Sequence, residues 1–133
     1  MKELLIEAIP ENLSSVLSFV KTELQAHGTE GKLQRQIAIA VEEIFVNIAH
    51  YAYNPEIGSA LIRISVGDEV NIEFEDKGNP YNPLEKSDPD TTLERKDRQI
   101  GGLGVFMVKK IMDSVDYKFE NGKNVLNIRK VIL

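Results

Sequence analysis

Apolar residues recur along this chain with two periods, and the switches between them mark out its elements. Residues 3–9 (ELLIEAI) read as a short strand. From Pro10, a residue suited to a first helical turn, Leu13, Val16, Leu17, Val20 and Leu24 recur at helical spacing until Gly28. A second helix is predicted from about Lys32 to Tyr53, ending before Asn54-Pro55 because the residue preceding proline avoids the helical region. Its core stripe is Ile37, Val41, Ile44 and Ile48. Period-2 patterns follow: Ile62, Ile64 and Val66 share one face of residues 60–66, and Val70, Ile72 and Phe74 share one face of residues 69–76. Glu73 and Glu75 take the opposite face, so one side of the sheet is wet.

Between Gly78 and Gly101 the pattern stops. Pro80, Pro83, Pro89 and nine charged residues between 85 and 98 make this stretch too long for an ordinary connection, and it reads as a lid or a disordered segment over about 79–101. Val105, Val108 and Met112 then mark a third helix. Val115, Tyr117 and Phe119 alternate as a strand, Asn121-Gly122 turns, and residues 124–132 return as the last strand. The order β-α-α-β-β-lid-α-β-β predicts an α+β fold: a two-layer sandwich with a mixed, mostly antiparallel sheet and helices on one face, as one domain over 1–133.

Composition narrows the function. At 133 residues the chain can bury a core without staples, and with no cysteine it has no thiol chemistry or Cys-based zinc site. A net charge of −5 without a basic stripe argues against direct nucleic-acid binding. With no leader-like start and no apolar run near a membrane-spanning length, the expectation is a cytoplasmic protein that does not enter membranes.

Three patches carry candidate chemistry. Glu43, Asn47 and His50 fall at i, i+4 and i+7 on the second helix, roughly 120° from its core stripe, whereas Glu42 points away from the core and should be solvated. An ordinary surface face gives the same spacing. Asp76 shares the inward face of Val70, Ile72 and Phe74, where an unpaired carboxylate is costly, and an adenine amino group is a donor it could accept. Gly78 would let backbone approach that ring, although Asp76-Lys77-Gly78-Asn79-Pro80 also reads as a plain turn. Gly101-Gly102-Leu103-Gly104 before a helix offers free amides to phosphate, or serves only as a helix entry. His50, Arg95, Lys96 and Arg98 stay outside the site, and Tyr51 and Tyr53 read as packing residues.

These patches, in this order, resemble the N, G1 and G2 boxes of the Bergerat-type ATPase fold shared by gyrase, histidine kinases and MutL. The run Val41 to Tyr53 and the ending Gly102-Leu103-Gly104-Val105-Phe106-Met107-Val108-Lys109-Lys110 look like the anti-sigma-factor serine/threonine kinases of the RsbW and SpoIIAB type, over essentially the whole chain. The resemblance implies ATP and Mg²⁺ as ligands. Asn47 would bind the metal, Asp76 the adenine amino group, Gly78 the base, and Gly102, Leu103 and Gly104 the phosphates, with Glu43 as general base. It also implies a homodimer, and a sigma factor and an anti-sigma antagonist as partners. Two positions depart from the pattern: Ile100 stands where those kinases often carry a basic residue, and Gly122-Lys123-Asn124 replaces a glycine-threonine element. A non-catalytic ATP-binding regulator of the same fold is the alternative reading.

Overall fold

The computed structural model describes residues 1–53, 56–85 and 102–132. Strand β1 (Lys2–Glu7) leads through a 3₁₀ turn (Pro10–Asn12) into α1 (Leu13–Ala26), and α2 (Gly31–Tyr51) follows. Then come β2 (Ser59–Val66), β3 (Glu69–Asp76), a 3₁₀ turn at Pro83–Glu85, α3 (Gly102–Ile111), β4 (Ser114–Glu120) and β5 (Lys123–Val131). The sheet runs β1-β2-β3-β5-β4 and every described pairing in it is antiparallel, so the sheet is more uniform than the mixed one expected.

Local chemistry accounts for the element ends. Helix α1 stops at Gly28, whose φ of 81° permits the left-handed step; Gly28 and Thr29 donate to the carbonyls of Gln25 and Leu24 at 3.0 and 2.9 Å. Asn121 and Gly122, at φ 55° and 75°, form the tight turn between β4 and β5 whose backbone twist suits a hairpin. Proline at residue 10 starts a 3₁₀ turn before α1, where the sequence pattern suggested a continuous helix.

The inward row of the sheet, including Ile62, Ile64, Ile72, Phe74 and Ile128, is sealed beneath the helices. Val16, Val20 and Leu24 of α1 close one flank. On α2 the buried positions extend from Asn47 through Ile44, Ile37 and Val41 to Phe45, an arc of about 160° at 100° per residue. That is wider than the single stripe expected, because α1, the sheet and α3 all pack on this helix. Glu42, expected to be solvated, is accordingly partly buried, since the arc reaches round to neighbouring Phe45. The opposite face of the sheet is polar: Arg63 on β2 contacts Glu3 on β1 at 3.3 Å and Glu73 on β3 at 2.8 Å. Such exposed pairs contribute little stability.

The end of α2 is locked to the end of β3. The Asn79 amide donates to the Ala52 carbonyl at 2.8 Å, and a Cβ on Gly78 would collide with that same carbonyl group. Tyr53, expected only to pack, does more: its hydroxyl accepts from the Lys77 amide and donates to the Ser59 carbonyl, both at 2.7 Å. Gly78→Ala is therefore expected to lower unfolding free energy by about 1–3 kcal/mol through overpacking. Gly67→Ala, where an added Cβ meets nothing within 4 Å, should change it far less. Urea unfolding curves of the two variants check the contrast.

Candidate functional site

At the locked end, the helices part enough to leave a hollow open to solvent, with about 40 Å³ of enclosed space. Ile44, Asn47 and Ile48 of α2, Phe74 and Asp76 of β3, Val105 and Val108 of α3, and Tyr117, Asn124 and Leu126 of β4 and β5 line it. Tyr81, Pro83 and Leu84 complete the wall. The surroundings are apolar with a few convergent polar groups, the character of a small-molecule site.

Asp76 lies on the inward face of the sheet, as its alternation predicted, and is 6% exposed. Its Oδ1 accepts from the Gly78 amide and from Asn124 Nδ2, each at 2.9 Å. Among the described residues no hydrogen bond reaches Oδ2. Burial pushes the carboxyl pKa up, against the downward pull of the Asn124 and Gly78 donors.

Asn124, which the sequence reading placed in the element replacing glycine-threonine as a substitute polar contact or none, is a further member of the site. It is 6% exposed and sits directly across from Asp76 in the β3–β5 pairing. Beyond Asp76, its Nδ2 donates to the Asn79 carbonyl at 2.9 Å. Its Oδ1 accepts from the Tyr81 amide at 3.2 Å and from the Tyr117 hydroxyl. These partners settle the orientation of the amide, since a backbone N–H needs the oxygen and a carbonyl needs the nitrogen. The signal for it was present: Asn124 shares the face of Leu126 and Ile128, the same parity that singled out Asp76.

The first residues of the expected lid, 79–85, thus form a wall, and Asn124 holds its start at Asn79 and Tyr81. Tyr81 also stacks on Tyr51 with ring centroids 5.3 Å apart, and the Leu84 amide caps onto Asn82 Oδ1 at 2.9 Å. Residues 86–101, with Arg95, Lys96, Arg98, Ile100 and Gly101, lie outside the described residues.

Asn47 lines the same hollow at 6% exposure, and no hydrogen bond among the described residues engages its amide. Facing the hollow, this amide offers a donor and an acceptor that suit a ligand such as a hydrated metal ion or phosphate. Glu43 stands one turn earlier on α2, partly buried and outside the lining of the hollow. Burial raises its carboxyl pKa, and the neighbouring Glu42 charge raises it further. His50 is exposed, with its ring 6.2 Å from that of Tyr51. Gly78 packs on Ala52 instead of lining the hollow, so its lack of a side chain answers to the helix end. Helix α3 begins at Gly102 and carries Leu103 and Gly104 in its first turn, where backbone amides lack helical partners. Val105, the next residue, lines the hollow beside Asn47.

The serine/threonine-protein kinase BtrW of Bordetella bronchiseptica is 25% identical over 99 residues, covering 73% of this chain and 70% of that protein. The serine-protein kinase RsbW of Bacillus pumilus is 31% identical over 97 residues, covering 67% of this chain and 60% of that protein. Residues 6–130 match the family described as the histidine kinase-like ATPase domain, a span holding α1, α2, α3 and the Asp76–Asn124 pair. The chain belongs to the histidine kinase-like ATPase domain family.

Proposed function

We propose that this chain is an ATP-dependent serine/threonine protein kinase of the anti-sigma-factor type, which holds a sigma factor and phosphorylates a serine of an anti-sigma antagonist. The observation that carries the reading is Asp76: a buried carboxylate with one oxygen saturated and the other unpartnered among the described residues, on the wall of an apolar hollow. An exocyclic amino group is the donor such an oxygen lacks, and the mostly apolar lining suits a base. The names of BtrW and RsbW supply the kinase half of the proposal.

In this reading Asn47 offers its amide oxygen to Mg²⁺, and the start of α3 at Gly102, Leu103 and Gly104 offers backbone amides to phosphates. Mg²⁺, when bound, neutralises charge on the phosphates. Glu43, held above the usual carboxylate range by burial, accepts the proton of the substrate serine hydroxyl as that oxygen bonds to the γ-phosphorus and the bond to ADP breaks. A second copy of the chain as dimer partner belongs to the same proposal. So does a cytoplasmic location for the whole of 1–133 as one kinase domain. Among the described residues no helix is long and apolar enough to cross a membrane.

A non-catalytic ATP-binding regulator is the second reading, and Ile100 in place of a basic residue favours it. Labelled phosphate transfer from ATP to a cognate antagonist separates the two. Glu43→Gln should retain nucleotide and lose transfer by roughly 10²–10⁴-fold, the usual contribution of a general base. For the wild type, the acid limb of the transfer rate should lie above pH 4.5, because burial raises the Glu43 pKa from that value. Transfer by Glu43→Gln at the wild-type rate would remove Glu43 from the chemistry.

Asp76→Asn tests the pocket independently. The amide oxygen can still accept from Gly78 and Asn124, while the new NH₂ faces the adenine amino group donor to donor, so saturable Mg·ATP binding should disappear. The fold should not suffer. A carboxyl whose folded pKa is raised favours folding most below its ordinary value of 3.8, and that contribution is lost as pH rises through the folded value. At pH 7 the ionised group is thus a cost that Asn removes, and thermal unfolding of the variant should come no lower than that of the wild type. Undiminished ATP binding by Asp76→Asn would overturn the assignment.

A further inference from the structure

An aspartate alone is a poor reader of adenine. Guanine presents two N–H donors side by side, at N1 and at its 2-amino group, and a carboxylate with both oxygens open pairs with them bidentately. Adenine presents one amino group beside a ring nitrogen that is an acceptor. Selection of adenine by Asp76 therefore requires that one of its oxygens be closed. In this chain Oδ1 is closed: its two lone-pair directions are taken by the Gly78 amide and by Asn124 Nδ2, both at 2.9 Å.

Asn124 has no capacity left for a ligand of its own. Its two N–H groups go to Asp76 and to the Asn79 carbonyl, and its oxygen accepts from the Tyr81 amide and the Tyr117 hydroxyl. It is 6% exposed and fixed on four sides, so it neither swings away from Asp76 nor turns its oxygen toward it. We infer that Asn124 is a specificity-determining positioning residue, which occupies Asp76 Oδ1 so that the site accepts a single N–H donor and prefers adenine to guanine nucleotides. The inference rests on the ATP reading above and goes beyond it, because an Asp76 with Oδ1 open would also present guanine with two acceptors for its two N–H donors.

The test is equilibrium titration of wild type and variants with non-hydrolysable Mg·ATP and Mg·GTP analogues. Wild type should bind the adenine analogue at least tenfold more tightly, about the worth of one charge-assisted hydrogen bond. Asn124→Ala vacates the space and the lone pair beside Oδ1, and its adenine-to-guanine affinity ratio should fall on the order of tenfold, with guanine gaining in relative terms. Asn124→Thr, whose hydroxyl can still donate to Oδ1, should restore most of the ratio. A proportional loss for both analogues in Asn124→Ala is the signature of a merely structural role and would overturn the proposal; so would a wild type indifferent to the base. If Asn124→Ala fails to fold, Asn124→Leu, which fills the same space without a donor to Asp76 Oδ1, should still lower the ratio, and an unchanged ratio there would overturn the proposal. Absence of any saturable binding by wild type would overturn the ATP reading itself, an outcome distinct from binding without selectivity.

Discussion

The charged oxygen pair of Asp76, withdrawn from water at the end of β3, is the constraint around which this end of the molecule is arranged. A carboxylate at 6% exposure is tolerable only with donors in place, and the fold supplies them from two directions. One is the chain's own turn, through the Gly78 amide; the other is the neighbouring strand, through Asn124. The same amide then secures residues 79–81, so the walls of the hollow and the donors to its acid form one connected network. Helix α2 is tied into that network by the Ala52 carbonyl, which the Asn79 amide reaches.

This arrangement separates two tasks within a small fold. The apolar layer between sheet and helices, centred on residues such as Phe45, Phe74 and Ile128, supplies the stability. The site end, by contrast, accepts a buried charge and a buried amide, Asn47, without internal partners among the described residues. Locally unfavourable groups of this kind are expected where a ligand completes the bonding. The polar outer face of the sheet, with Arg63 among Glu3 and Glu73, takes no part in either task.

Most elements were legible in the sequence because each has one dominant period. Alternation alone predicted that Asp76 faces inward, and Asn121-Gly122 predicted the last hairpin. The unreadable features are those set by contacts between distant segments. Helix α2 packs on α1, α3 and the sheet at once, so its buried arc takes in Phe45 and Asn47, and a single-stripe reading of Glu42 as solvated fails. Gly78 is a glycine because the end of α2 passes across it, a proximity no local pattern contains. Asn124 obeys the same parity rule as Asp76, yet its importance lies in four partners drawn from both neighbouring strands and residues 79–81, which a one-dimensional pattern does not assemble.

The β3–β5 pairing also has a bearing on how the molecule is made. Asp76 and Asn124 are 48 residues apart in sequence, whereas the β2–β3 and β4–β5 hairpins close over a few residues each. Closing the longer loop carries a larger entropic cost, so short-range hairpins can form before the central seam joins them. During synthesis, a nascent chain emerging from the ribosome has no donor from β5 for its aspartate until that strand has been translated. The donor set around Asp76 is therefore complete only once β5 has been made, however early the helices and the first hairpin are available.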